Sequence, residues 1–133
     1  MSPISKNFVR ASLVYFCIAV ILGVSMFFHG PLRGSQLPYI HGHIMLLGWM
    51  SMMIYGVGYH ILPRFSGNPV AYPWLSVVQF YLANVSLVGL MVSYVFISST
   101  TGIPTQVFAV LQAISIFMFV VNIWCSIIAP KEA

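Results

Sequence analysis

Four long runs of apolar residues, separated by short links, make up almost the whole chain. They cover residues 8–28, 39–62, 73–97 and 106–128. Each run can cross a membrane, because a transmembrane helix needs about 20 consecutive apolar residues. The links carry Gly, Pro and Asn residues, which commonly end helices. The pattern therefore predicts an all-α integral membrane protein, in which a single transmembrane domain forms a four-helix bundle.

The few charged residues predict how the bundle sits in the membrane. Only 5% of the 133 residues are charged, five of them basic and one acidic. Lys6, Arg10, Arg64 and Lys131 fall on one side of a four-span arrangement and Arg33 on the other, so we expect both termini in the cytoplasm. We expect the protein to lie in the lipid of a bacterial or archaeal cytoplasmic membrane. The basic residues form no patch or stripe, which argues against a nucleic-acid partner.

Spans three and four carry polar side chains that are unfavourable against lipid. We expect these residues to face the interior of the bundle; they are Gln79, Asn84, Gln112, Ser115 and Asn122. The last three share one helix face, at spacings of three and seven residues. That face is either a seam of hydrogen bonds between helices or part of a ligand pocket.

The four histidines are the main candidates for chemistry. His41 and His43 lie near the start of span two. Side chains two positions apart on an α-helix point about 200° away from each other. Each imidazole can therefore serve a different partner. His29 lies at the end of span one and His60 near the end of span two. The alternative for both is an interfacial side chain that reaches water. His43 and His60 are roughly 25 Å apart along one helix, so the chain holds one site or two at different depths.

Haem is the cofactor that this arrangement favours. A haem with two axial imidazoles needs an apolar slot for its ring and cations for its propionates. Gly48 and Gly56 in span two allow a planar ring to approach the backbone closely. Arg33 and Arg64 are placed to pair with propionates at the two membrane levels. The alternative for both arginines is that they are ordinary charged residues of the loops, with no role in binding.

Two other interpretations remain open. Span two is rich in methionine, and thioethers beside imidazoles suit copper, although Met is also common core filler; these residues are Met45, Met50, Met52 and Met53. The chain could also be a non-catalytic assembly subunit whose histidines hydrogen-bond between helices. A hydrolase is disfavoured because Glu132 is the one acidic residue, so paired carboxylates and a Ser-His-Asp constellation cannot be assembled.

The sequence HGHIMLLGWM, from His41 to Met50, continues to YHILPRFSG at Tyr59 to Gly67. This stretch resembles subunit I of the haem-copper oxidase and nitric oxide reductase superfamily. There, an early helix begins with a histidine that binds a low-spin haem and ends near a proline, and a later helix carries an H-x-H motif that serves two haems. The resemblance covers residues 9–67. It implies that His41 or His43 binds haem b, and that the other serves a second haem or pairs across a dimer.

The resemblance also implies a limited activity. Catalytic subunits of the superfamily have many more spans, further metal-binding histidines and proton-conducting carboxylates, which this chain lacks. We therefore expect a small b-type cytochrome with one or two haems, for electron transfer or for binding nitric oxide or oxygen, rather than a complete oxidase. It would work as a homodimer or as a subunit of a respiratory complex. The opposing axial ligand is left open between His29, the other member of the H-x-H pair and a second chain.

Overall fold

The computed structural model describes residues 1–28, 36–97 and 102–128. Within these ranges the chain is almost entirely helical and contains no strand. The four helices are α1 (Pro3–Phe28), α2 (Leu37–Ser66), α3 (Pro73–Ile97) and α4 (Ile103–Ile128). Each is long and apolar enough to cross a membrane. The structure thus confirms the all-α membrane fold, while the cytoplasmic position of the termini stays a prediction.

The end of α2 lies four residues beyond residue 62, where the apolar run ends. Pro63 lies inside the helix, where it removes only one backbone donor. The helix stops at Gly67, whose φ of 74° is left-handed and favours glycine. The Gly67 N–H bonds to the Arg64 carbonyl at 3.1 Å and the Asn68 N–H to the Pro63 carbonyl at 3.0 Å, so two of the carbonyls in the last turn are satisfied.

The segment Ile44–Ser51 of α2 is π-helical rather than α-helical. It follows directly after His43, and the Ser51 hydroxyl donates to the Leu46 carbonyl five residues earlier, at 2.9 Å. Short π-helical insertions occur frequently at functional sites. This segment was not predicted from the apolar pattern, which is uniform through this part of span two.

The helices pack as two antiparallel pairs, α1 with α2 and α3 with α4, and α2 also contacts α4. One core cluster, centred on Phe8, Met52 and Tyr59, lies toward the Arg64 end of α2. A second cluster, centred on Ala19 and Ile44, lies toward the His41 end. Many large apolar side chains on the outer faces are exposed, as expected for surfaces that contact lipid.

The polar residues of spans three and four face the interior, which confirms the expectation for them. Gln79, Gln112, Ser115 and Asn122 are buried. Asn84 is half-buried and accepts a hydrogen bond from the Tyr15 hydroxyl of α1 at 2.9 Å. These side chains are therefore turned away from lipid, although the buried Ser115 hydroxyl has no hydrogen-bond partner among the described residues.

Hydrogen bonds at the Arg64 end join three helices. The Asn122 amide of α4 bonds both backbone groups of Tyr72, at 3.0 Å to the N–H and 2.9 Å to the carbonyl. The Tyr59 hydroxyl of α2 donates to the side-chain oxygen Oε1 of Gln79 in α3 at 2.6 Å. Nearer the middle of the bundle, the Ser86 hydroxyl of α3 donates to the side-chain oxygen of Gln112 in α4. The bonds of Gln112 and Asn122 support the seam interpretation, in which Ser115 takes no part through its hydroxyl.

Candidate functional site

The His41 imidazole lies between α1 and α2 and is held in one orientation. Its Nδ1 is 3.1 Å from the Ala19 carbonyl oxygen of α1. A carbonyl can only accept, so this hydrogen bond requires the proton on Nδ1 and leaves the lone pair of a neutral ring on Nε2. Metal-binding histidines in proteins commonly donate their second ring nitrogen in this way. The ring is thus prepared to bind a metal through Nε2.

Gly23 makes room for this imidazole. A methyl group at Gly23 would lie 2.9 Å from Cε1 of His41, closer than real side-chain contacts. Ala19 and Gly23 are four residues apart, and small residues at this spacing let transmembrane helices approach each other closely. The ring therefore packs directly on the backbone of α1.

A cavity of about 320 Å³ adjoins the His41 ring. Its lining is mainly apolar and comes from the end of α1 and the start of α2: Gly23, Met26, Phe27 and His41. Pockets for small ligands and cofactors typically combine an apolar lining with a few polar groups. His41 is the polar group of this cavity.

His43 faces a different helix. Its Nδ1 lies 2.8 Å from the Tyr39 carbonyl of its own helix, which again leaves Nε2 as the lone-pair nitrogen. Its ring centroid is 5.5 Å from that of Tyr94 in α3. His41 therefore contacts α1 while His43 contacts α3, as their angular separation predicts. The two imidazoles do not meet in one site.

The space above Gly48 and Gly56 is filled by α1. A methyl group at Gly48 would lie 2.7 Å from Cγ of Tyr15, and one at Gly56 would lie 2.8 Å from the Ser5 carbonyl oxygen. In the structure it is α1, and not a cofactor ring, that approaches the backbone of α2 closely at these glycines. Their predicted role beside a cofactor remains a prediction.

His60 and Arg64 form a separate pair at the opposite end of α2. Arg64 Nη1 donates to His60 Nε2 at 3.3 Å, so the arginine occupies the nitrogen that a metal would use. His60 is 19 residues from His41, more than 25 Å along the helix. His29 and Arg33 lie outside the described residues. Within the described part of the chain, no three His, Cys, Asp or Glu side chains are close enough together to hold a metal ion.

Sequence reasoning missed the α1 side of the site. The residues that it did not identify are Ala19, Gly23, Met26 and Phe27. Two signals were available in the sequence: the small residues at 19 and 23, and the position of residue 26 on the same helix face as residue 19. Neither signal identifies a site until α1 is known to pack against the start of α2.

These features define an all-helical integral membrane protein with a preoriented histidine beside an apolar cavity near one end of the bundle. Comparison with protein-family models is more specific. Residues 3–133 match the family described as cytochrome c and quinol oxidase polypeptide I, and the chain belongs to that family. It is thus a membrane protein of the haem-copper oxidase subunit I type. The comparisons with curated proteins and with solved structures found no match.

Proposed function

We propose that this protein is a small membrane cytochrome that binds haem b through His41. The observation that carries the proposal is the orientation of this imidazole, with Nδ1 bonded to the Ala19 carbonyl and the ring beside the apolar cavity. A neutral imidazole with one nitrogen anchored and the other available suits haem iron. Membership of the oxidase polypeptide I family supports the choice of haem.

The chain's own residues would hold and tune the cofactor. Ala19 fixes the tautomer of His41, and Gly23 leaves room for the ring. Arg33 is the proposed partner for propionates at this level. When bound, haem supplies one-electron redox chemistry and, with an open coordination position, binding of nitric oxide or oxygen.

The remaining sequence predictions concern a second haem and partners. His43 is the candidate ligand for a second haem on the α3 side. A haem at the opposite end of α2 would use His60 and Arg64, and would require the arginine to release the imidazole. The proposed assembly is a homodimer or a subunit of a respiratory complex.

Copper is the second candidate cofactor, because Met26 and His41 line the same cavity. A thioether and an imidazole form a ligand pair suited to Cu(I). The absorption spectrum and metal analysis of the purified protein distinguish the two cofactors. A colourless, metal-free protein would favour the non-catalytic assembly subunit.

The test is haem content of the detergent-purified chain, measured by pyridine haemochrome together with oxidised and reduced spectra. His41→Ala is expected to lose the haem beside α1, and His60→Ala should retain that haem, because it can only remove one bound at the opposite end of α2. His41→Gly with added imidazole provides a second check, since free imidazole can replace the missing ligand if the variant is folded. Equal haem content in wild type and His41→Ala would refute the assignment.

A further inference from the structure

A second cavity lies at the end of the bundle where α1 and α3 begin. It is lined by the beginnings of these two helices together with Tyr59 of α2, and its volume is about 470 Å³. Ligand pockets usually measure roughly 300–1,000 Å³ and combine an apolar lining with a few polar groups. Here the wall is mainly apolar, with Ile4 from α1 and Val77 from α3, and its polar side chains include Asn7 and Tyr81. Such a cavity suits an amphipathic ligand.

The cavity opens toward lipid. The side chains of Val77 and Tyr81 are exposed, and they belong to a helix that is long and apolar enough to cross a membrane. Asn7 is exposed as well, and neither its amide nor the Tyr81 hydroxyl makes a hydrogen bond with the described residues. A ligand can therefore enter from the membrane and meet two polar groups that are free to bond. These properties favour a lipid over a water-soluble solute.

Two cations of α1 lie at the rim of this cavity. Lys6 directly precedes Asn7, and Arg10 follows Asn7 by three residues, about one turn later and about 60° away around the helix. Lys6 and Arg10 are both exposed and, being four residues apart, are neighbours on the helix surface. Because helical side chains lean toward the N-terminus of their own helix, the Arg10 guanidinium returns toward the level of Asn7. The cavity mouth is therefore positively charged.

No carboxylate neutralises these cations within the described part of the chain. The one acidic residue, Glu132, lies outside it. Neither the Lys6 ammonium nor the Arg10 guanidinium has an ion pair or a hydrogen bond with the described residues. Cations near a membrane surface attract anionic lipids, and both groups form charge-assisted hydrogen bonds with phosphate oxygens. The rim therefore favours an anionic headgroup.

We propose that this cavity binds one anionic phospholipid. An acyl chain lies along the apolar wall, and the phosphate lies at the rim beside Lys6 and Arg10. The Asn7 amide and the Tyr81 hydroxyl donate hydrogen bonds to oxygens of the headgroup. A zwitterionic lipid has the same phosphate but carries its own cation, so it gains less from the two positive charges. This site is separate from the cavity beside His41, and its occupancy does not depend on haem.

The test is native mass spectrometry of the detergent-purified full-length protein. It is titrated with phosphatidylglycerol or with phosphatidylcholine of identical acyl chains, and the Kd of the first bound lipid is measured. Lys6→Gln and Arg10→Gln each remove one rim charge. Arg64→Gln is the matched charge control, because Arg64 is an exposed cation at the same end of the bundle but bonds to His60 and does not line the cavity.

A second pair of variants examines the cavity itself. Val77→Trp places a bulky side chain in the wall of the cavity. Val78→Trp is its matched control, because Val78 is similarly exposed on the same helix and does not line the cavity. Far-UV circular dichroism checks that each variant is folded, and the charge variants decide the question if Val77→Trp is not.

Wild type is expected to bind phosphatidylglycerol more than about tenfold tighter than phosphatidylcholine, because each cation near a membrane surface contributes roughly fivefold. Lys6→Gln and Arg10→Gln should each weaken phosphatidylglycerol binding by about fivefold, and Arg64→Gln should leave it unchanged. Val77→Trp should abolish the tight site, and Val78→Trp should retain it.

Two results would overturn the proposal. Equal effects of Arg10→Gln and Arg64→Gln would show that the protein attracts anionic lipid through its overall charge, without a site at this cavity. Equal affinity of wild type for the two lipids, lost for both in Val77→Trp and unchanged by the charge variants, would identify a neutral lipid as the occupant.

Discussion

Replacing Gly48 with alanine tests whether α1 fills the space above this glycine. The added methyl group would lie 2.7 Å from Cγ and 2.8 Å from Cβ of Tyr15. These atoms belong to the rigid base of the side chain, so Tyr15 cannot turn away without moving α1. Its hydroxyl is also tied to Asn84 at 2.9 Å. The substitution must therefore separate the helices locally or break that hydrogen bond.

The magnitude follows from two opposing effects. Overpacking a close contact costs about 1–3 kcal/mol. Alanine is better than glycine in a helix by roughly 1 kcal/mol, which offsets part of this loss. Gly42→Ala is the matched control, because a methyl group there has nothing within 4 Å. The helix-propensity gain is similar in both variants, so Gly48→Ala should be less stable than Gly42→Ala by about 1–3 kcal/mol.

The assay is unfolding by sodium dodecyl sulfate in detergent micelles, followed by far-UV circular dichroism, on the haem-free protein. If Gly48→Ala is as stable as Gly42→Ala, the Tyr15 contact is wrong. Repeating the measurement with haem distinguishes the alternative role. A penalty that appears only in the haem-loaded protein would place the cofactor beside Gly48, as the sequence predicted.

Two further substitutions test the polar contacts between helices by the same unfolding assay. Tyr15→Phe removes the hydrogen bond to Asn84 and should lower the free energy of unfolding by about 1 kcal/mol, whereas the exposed Tyr81→Phe should change it by less than about 0.5 kcal/mol. Asn122→Leu removes both hydrogen bonds to the backbone of Tyr72, each worth about 1 kcal/mol, so this loss should exceed that of Tyr15→Phe. The reverse order would show that the Asn122 bonds contribute little.

The fold could largely be predicted from the sequence, because length and apolarity alone decide whether a segment can span a membrane. The positions of the helix ends were harder to predict, since they depend on local hydrogen bonds. α2 passes through Pro63 and ends where Gly67 adopts a left-handed conformation, whereas Pro63 itself had suggested the stop. The π-helical segment gave no signal, because its side chains are apolar like those on either side.

For the site, the angular separation of His41 and His43 followed from their spacing, and the structure places them against different neighbours. The identity of those neighbours could not be predicted. It depends on which helices pair and in which register, and this is determined by the fit of small residues such as Gly23 against larger ones. For the same reason Met26 had no visible connection to His41, although both stood near helix ends at one membrane level.

The π-helical segment helps to explain how α1 and α2 stay in contact along their length. Gly48 and Gly56 are eight residues apart, which in a regular α-helix separates their directions by about 80°. Yet both face α1, with Tyr15 over Gly48 and Ser5 over Gly56. A π-helical turn closes its hydrogen bonds one residue later than an α-helical turn, so it takes in the additional residue and reduces this offset. The segment Ile44–Ser51 thus aligns the two glycines into one continuous surface, and the close approach that they allow continues to the histidine end of the helix pair, where the candidate site is formed.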